Sequence, residues 1–369
     1  MLNAPYFKYL SFRYLYFIQT TALKQLDYII VGSGIAGIAF CENLEANSKS
    51  YVVFDSGEQS ATGIAGGVVN PMVLKRLNPV WKASQFMNKA RPFYEGLQNK
   101  LNTQFLADQP LLRIFATAEE QNDWVVASDS PAMEQFLQPE IINNTNTNIN
   151  APLGYGAVRS TFRIDTPSLL QAYRKYLQNR GKLISEEFIY DELQEYADHY
   201  LYKNYSARYV IFAEGSAVLK NPWFTLDCII PKKGEYLIIK SQELKCEATL
   251  KGPYFLIPGG ENTYKVGATF AHGDFSYNKT DIGRQTLEEA VLKMIKCTYE
   301  IVDQSCGMRP TVKDRRPLLG SINDRGIYFL NGLGTRGLLM SPLLSQWLYQ
   351  HIENKSPLPP EVDIKRFDN

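Results

Sequence analysis

The stretch from Asp27 to Asp55 constrains the fold of this chain more than any other. It reads Asp27-Tyr-Ile-Ile-Val31, then Gly32-Ser33-Gly34-Ile35-Ala36-Gly37, then a helical segment, then Tyr51-Val-Val-Phe-Asp55. That is a short apolar strand, a Gly-x-Gly-x-x-Gly turn, a helix, a second strand and an acidic end. Gly32 permits the tight turn, Gly34 leaves room for a pyrophosphate against the backbone, and Gly37 lets the helix pack close to the strand. The N–H groups at the helix start, from Ser33 to Ala36, are expected to face the phosphates, helped by the helix dipole. Asp55 lies 18 residues beyond Gly37, where a carboxylate accepts bonds from both ribose hydroxyls, with Ser56 beside it. A lone glycine fingerprint also marks ordinary turns. Here the strand–turn–helix–strand context points to dinucleotide binding, and the acidic end favours FAD or NAD over NADP.

A chain of 369 residues is too long for one small core, so two domains are expected. Lys plus Arg is 39 and Asp plus Glu is 38, which gives no global pull toward nucleic acid. The five cysteines are odd in number and show no Cys-x-x-Cys spacing, and we read them as reduced thiols in a cytoplasmic protein. The three histidines, His199, His272 and His351, do not pair at metal-ligand spacing, so no metal is expected. Residues 1–26 are rich in aromatics and precede the first strand. Their longest apolar run is too short to span a membrane, and no small-residue cleavage pattern follows. They are expected to be a poorly ordered extension, with no membrane partner.

Further along, Ser60–Pro71 is too glycine-rich for a regular element, and its small residues suit a backbone lying against a flat cofactor. Thr62, Gly63, Gly66, Gly67 and Val68 are its candidate contacts. Residues 82–101 read as a helix, and 143–150 as a polar loop. A helix is expected from Asp165-Thr-Pro-Ser168 to about Asn179, with Thr166 as cap and Pro167 in the first turn. Tyr209–Phe212 is a buried strand that ends in Ala213-Glu214-Gly215. Segments 231–240, 254–258 and 264–270 read as strands without intervening helices, hence an antiparallel sheet separate from the nucleotide domain. Residues 283–296 and 337–351 read as helices, and 328–332 as a last strand.

Several pieces then stand in one order: the glycine fingerprint, the Ala61–Pro71 loop, Val210-Ile-Phe-Ala213-Glu214-Gly215, Cys306-Gly-Met-Arg309-Pro310, and Asn331-Gly332-Leu-Gly334-Thr335-Arg336-Gly337-Leu338. This set, over roughly residues 27–352, resembles the D-amino-acid oxidase superfamily of FAD-dependent amine oxidases, which includes glycine and sarcosine oxidases. The loop Ala65–Pro71 and the stretch Gly334–Pro342 look most like the oxidase half of the bifunctional enzyme that modifies the tRNA wobble uridine. The resemblance implies an α/β fold. A Rossmann-like FAD-binding domain is built from residues 27–90, 152–222 and 304–369. The inserted α+β substrate domain, 91–151 and 223–303, contains an antiparallel sheet.

The resemblance also implies roles. Arg309 matches the carboxylate anchor of a Gly-x-Arg-Pro motif, a task suited to a guanidinium, which stays charged and binds bidentately. The family's pocket tyrosine falls on Phe255, with Tyr254 beside it; strand neighbours face opposite ways, so one of the two faces the substrate. His272 is a candidate for the pocket wall, weighed against a surface histidine. Cys306 is displaced by one residue from the position that binds flavin covalently in sarcosine oxidases, so FAD is expected to be noncovalent. Gly332, Gly334, Thr335, Arg336, Gly337 and Leu338 are expected near the flavin edge where reduction places negative charge.

The expected chemistry is oxidation of a C–N bond in a carboxylate-bearing amine, by hydride transfer to flavin N5 and hydrolysis of the imine. Dioxygen or another acceptor then takes the electrons. Two alternatives stand beside it. One is oxidation of the carboxymethylaminomethyl side chain of tRNA, with Lys75, Arg76, Lys232, Lys233, Arg315 and Arg316 as a basic rim. The other is a flavoprotein scaffold without turnover. Sequence leaves the oligomeric state open.

Overall fold

The computed structural model describes residues 22–368, and two eight-stranded sheets carry its mixed α/β architecture. In the first sheet, Tyr51–Phe54, Lys24–Val31 and Tyr205–Phe212 run parallel, and Ile327–Asn331 joins the far half of Tyr205–Phe212, also parallel. Parallel strands covered on both faces read as unbroken apolar runs, and Tyr28, Ile29 and Ile30 are all fully buried. Helices Ile35–Ala46, Ala83–Leu101, Thr166–Asn179 and Gly337–Asn354 fill one face. Aromatic rings fill the other, including Phe54, Phe188, Tyr202, Phe212 and Phe329. The first strand begins at Lys24, and Leu26 pairs with Ala207, so the end of the expected 1–26 extension belongs to the sheet. The expectation for residues 1–21 lies outside the described residues.

The second sheet follows the order Glu300–Arg309, Lys232–Lys240, Thr263–Gly267, Phe255–Pro258, Thr249–Lys251, Leu111–Ile114, Tyr155–Val158, Leu137–Ile142. Its pairs are antiparallel except for Thr249–Lys251 with Leu111–Ile114. The three strands read from 231–270 are present. The sheet is wider than they suggest, because Glu300–Arg309 is an edge strand whose first half leaves Val302 exposed beside Glu300 and Asp303, which leaves little alternation to read. Tyr155–Val158 and residues 304–309 pair in this sheet, although their segments were expected in the FAD domain. One sheet face packs on helix Asp281–Met294 through Leu237, Leu256, Val266, Leu287 and Val291.

Two local expectations change. The Ser60–Pro71 segment holds a one-turn helix, Ala61–Ile64, because the Ser60 hydroxyl accepts the Gly63 N–H at 3.1 Å. Its end forms the short strand Val68–Val69, paired with Phe162 and Arg163. The helix at 166–179 is capped one residue earlier than expected: the Asp165 carboxylate accepts the Ser168 N–H at 3.4 Å. Among the described residues, no helix is long and apolar enough to cross a membrane.

Candidate active site

A cavity of about 910 Å³ opens between the two sheets, within the roughly 300–1,000 Å³ range of small-molecule sites. All the expected cofactor residues line it except Ser33, Gly37, Gly63 and Gly332. Those four shape it from behind. A Cβ on Gly37 would overlap the Gly32 carbonyl, so helix Ile35–Ala46 can approach its strand only with glycine there. Ser33 donates its N–H to Asp55 Oδ2 at 2.6 Å. Gly63 donates to the Ser60 cap. Gly332 has φ of 74°, and a Cβ would overlap Val312.

At the nucleotide end, Asp55 lies on the cavity wall, where its Oδ1 also accepts the Gly57 N–H at 2.8 Å. Arg174, on helix Thr166–Asn179, ion-pairs with the same carboxylate; sequence reasoning missed it because nothing local marks it. Gly67 has φ of 79°, and a Cβ there would overlap the Ile164 carbonyl. This end also carries the acids of the wall: Asp55, Glu58, Glu186, Glu187 and Glu214. Burial pushes the Glu214 carboxyl up to about 7, against the bonds it accepts from Asn221 and Tyr190.

The second sheet forms the opposite wall. Arg309 reaches the cavity from the end of its strand, and its Nη1 donates to the Thr269 carbonyl at 3.2 Å. Its guanidinium lies 4.4 Å from the Phe270 ring centre. Burial draws its pKa down, and the group that most offsets this is the Tyr236 hydroxyl, not a carboxylate. Tyr236 lines the cavity beside it. Burial pushes the phenol up, opposed by the Arg309 charge and by the Gly66 N–H. The phenol oxygen thus faces two donors, which leaves its own proton to give to an incoming acceptor.

Arg336 also lines the wall and donates to the carbonyls of Asn70 and Met72 at 3.0 and 2.6 Å. Burial alone draws it down to about 10. Just behind, Lys265 donates to the Ile64 carbonyl at 2.7 Å, and burial followed by Arg163 draws it down to about 8.

Tyr254 and Phe255 both border the cavity. Their rings pack on different clusters, Tyr254 against the helix-covered face and Phe255 toward Trp124 and Phe136, as strand alternation requires. His272 is not in the wall. Its loop carries it outward, where Nδ1 meets Lys232 Nζ at 2.6 Å. Cys306 also faces away. Gly307 and Arg309 line the cavity, and the intervening alternation turns the Cys306 thiol to the Tyr277 carbonyl, 2.8 Å away. Lys233, read as part of a basic rim, is 0% exposed and is held by Asp274 at 2.7 Å.

Sequence reasoning also missed Tyr236 and Gly234. Both alternate onto the cavity face of strand Lys232–Lys240, but Tyr236 opens an apolar run that reads as core.

The cradle suits FAD by its own features. It has a helix start with glycines beneath it, a carboxylate at the adjacent strand end, a glycine-floored passage at Gly66 and Gly67, and cations where the cavity meets the second sheet.

The family described as DAO, FAD dependent oxidoreductase, matches residues 27–351. A glycine oxidase of Bacillus licheniformis is 22% identical over 346 residues, covering 88% of this chain and 92% of that protein. The tRNA 5-methylaminomethyl-2-thiouridine biosynthesis bifunctional protein of Marinobacter nauticus is 21% identical, covering 88% of this chain and 55% of that protein. Among solved structures, glycine oxidase from Bacillus cereus superposes with a TM-score of 0.75 at 18% identity, covering 90% of this chain and 96% of that one.

Proposed function

The chain belongs to the family of FAD-dependent oxidoreductases, and on that premise we propose that it oxidises a C–N bond in an amine that carries a carboxylate. The observation that carries this reading is Arg309, a half-buried cation with no carboxylate partner among the described residues, on the wall of the cavity that holds the dinucleotide cradle. When bound, FAD supplies the two-electron acceptor. The glycine turn, Asp55 and the Gly66–Gly67 passage would hold it, and the Cys306 thiol, turned to the Tyr277 carbonyl, is in keeping with noncovalent binding. Residues 27–90, 152–222 and 304–369 are proposed as its domain, less Tyr155–Val158 and residues 304–309, which pair in the second sheet, and residues 91–151 and 223–303 as the substrate domain.

The protein's own groups bind and orient. Arg309 takes the substrate carboxylate, and Phe270 lies over the guanidinium and restricts water at that contact. Tyr236 donates its hydroxyl proton to the same carboxylate. Among the described residues, no carboxylate or histidine lines the second-sheet wall, and an amine that binds neutral needs no strong base there. The cations Arg309, Arg336 and Lys251 on the wall disfavour a bound ammonium, which selects the neutral amine that gives up its electrons readily. The similarity to the tRNA-modifying protein supports a second reading, oxidation of a carboxymethylaminomethyl group on RNA. Burial of Lys233 takes one cation out of the rim that reading would use.

Anaerobic titration of the purified flavoprotein tests both. Glycine, sarcosine, longer N-alkylglycines, D-amino acids and wobble-modified tRNA are added in turn, and loss of the oxidised flavin absorption is followed. Bleaching by a small carboxylate-bearing amine supports the first reading, and bleaching by tRNA alone replaces it with the second. An Arg309→Met protein that reacts as fast at equal substrate concentration overturns the anchor role.

A further inference from the structure

A row of residues crosses the second sheet on its cavity face. Tyr236 pairs with Gly267, Gly267 with Phe255, and Phe255 with Lys251, on four successive strands. Directly opposed residues share a sheet face, and all four border the cavity. Their strand neighbours Leu237, Val266, Leu256 and Leu250 face the core behind. Arg309 stands at the Tyr236 end of this row and Lys251 at the other, with only Gly267 and Phe255 between.

Lys251 is a half-buried cation with no acid paired to it among the described residues. Its Nζ lies 5.1 Å from the Phe255 ring centre. It donates to the carbonyls of Gly252 and Pro253 at 3.1 and 2.9 Å, which uses two of its three protons. The charged groups that act on it, Arg113 and Lys75, are both positive. The nearby acid Glu120 is engaged by Arg113 at 2.7 Å. The acids of the cavity wall all lie at the nucleotide end.

From this placement we infer that Lys251 is the anchor for a second anionic group of the substrate, at the opposite end of the row from the carboxylate held by Arg309. The inference rests on the proposed amine-oxidising role of the site and names its substrate class: an amine with two separated anionic groups. Adjacent strands are about 4.8 Å apart, so three steps place the Tyr236 and Lys251 backbones roughly 14 Å apart. Side chains reaching inward shorten the gap to about 10 Å, the span of three extended residues. Short dicarboxylates cannot bridge it. Burial, then Arg113 and Lys75, draws the Lys251 amine down to about 8, a cost that an anion beside it offsets. The second anion is a carboxylate on a long chain or a nucleotide phosphate; both meet Lys251 through the same charge-assisted bond.

The test uses the full-length holoprotein and isothermal calorimetry under anaerobic conditions. The probes are N-(ω-carboxyalkyl)glycines with two to eight methylenes and N-alkylglycines of matched length. Carboxymethylaminomethyluridine, as nucleoside and as 5′-monophosphate, forms a separate arm. The longer dianions are expected to bind about 10- to 100-fold more tightly than their matched monoanions, the worth of one charged hydrogen bond. Lys251→Met collapses that ratio toward one, and Lys251→Arg restores most of it. A gain confined to the uridine monophosphate assigns the anion as phosphate. No preference for any dianion in the native protein, or a ratio that survives in Lys251→Met, overturns the inference. Binding is read apart from turnover, so a protein that prefers dianions without flavin bleaching refutes the oxidase reading and leaves the anion site standing.

Discussion

The guanidinium of Arg309 occupies the space that a side chain at position 234 would need: a Cβ on Gly234 would overlap it. The two residues sit on neighbouring strands, where Gly234 pairs with Gly307 and Lys232 with Arg309. The Gly234→Ala protein is therefore expected to keep its flavin and lose its grip on the substrate carboxylate. Its kcat/KM for the best small amine should fall about 10- to 100-fold, mostly through KM, the worth of a displaced charged hydrogen bond. The absorption spectrum reports the flavin and steady-state kinetics report the rest. An unchanged KM in this variant would detach Arg309 from substrate binding.

Tyr236→Phe keeps the ring and removes the proton that the phenol offers to the cavity. A single neutral donor to a carboxylate is worth about 1.5–3 kcal/mol, so affinity for carboxylate-bearing amines should drop roughly tenfold or more. Because the hydroxyl also meets the Gly66 N–H and the Arg309 guanidinium, the melting temperature of the variant is the control. A drop in stability with unaltered affinity would assign Tyr236 a packing role instead.

Gly37→Ala tests the cradle. Its new methyl would overlap the Gly32 carbonyl, and main chain cannot swing aside as a side-chain tip does. Overpacking of this kind costs about 1–3 kcal/mol. Purified protein should carry little flavin and melt at a lower temperature, and added FAD should recover little of the loss. A variant with full flavin content would mean that the helix can shift without opening the phosphate turn.

Glu214 makes stability depend on pH in a direction unusual for a carboxylate. Its pKa is pushed up from 4.5 to about 7 by burial. Between those values the folded state holds a proton that the unfolded chain has released. Stability contributed by this group therefore falls as pH rises from about 4.5 to about 7, by on the order of 3 kcal/mol. Denaturant titrations of the native protein and Glu214→Gln at pH 5 and pH 8 should show a smaller loss in the variant. Parallel pH slopes for the two proteins would contradict the assignment.

The cofactor end was the more legible half, and the reason is physical. A phosphate turn is made by consecutive residues, so Gly32, Gly34 and Gly37 announce themselves in one short window, and Asp55 follows at the end of the next strand. The second-sheet wall is assembled across strands. Tyr236, Phe255 and Lys251 stand in one row only because of a register that no local pattern encodes. Family resemblance reached Arg309, which sits in a motif, but not Tyr236 or Lys251, which do not. His272 went astray for a related reason: the pairing of Thr263–Gly267 ends before it, and the loop beyond sets its own direction.

The pairing of Tyr205–Phe212 with both Lys24–Val31 and Ile327–Asn331 has a bearing on how the protein is made. Each of these contacts joins residues more than a hundred positions apart, and such long-range closure slows folding. During synthesis the glycine turn emerges early but has no finished wall opposite it until the last of these strands leaves the ribosome. Flavin capture is thus an act of the nearly complete chain. A nascent chain arrested before Ile327 leaves the far half of one side of Tyr205–Phe212, Val210 to Phe212, bare, an open edge for another chain to join.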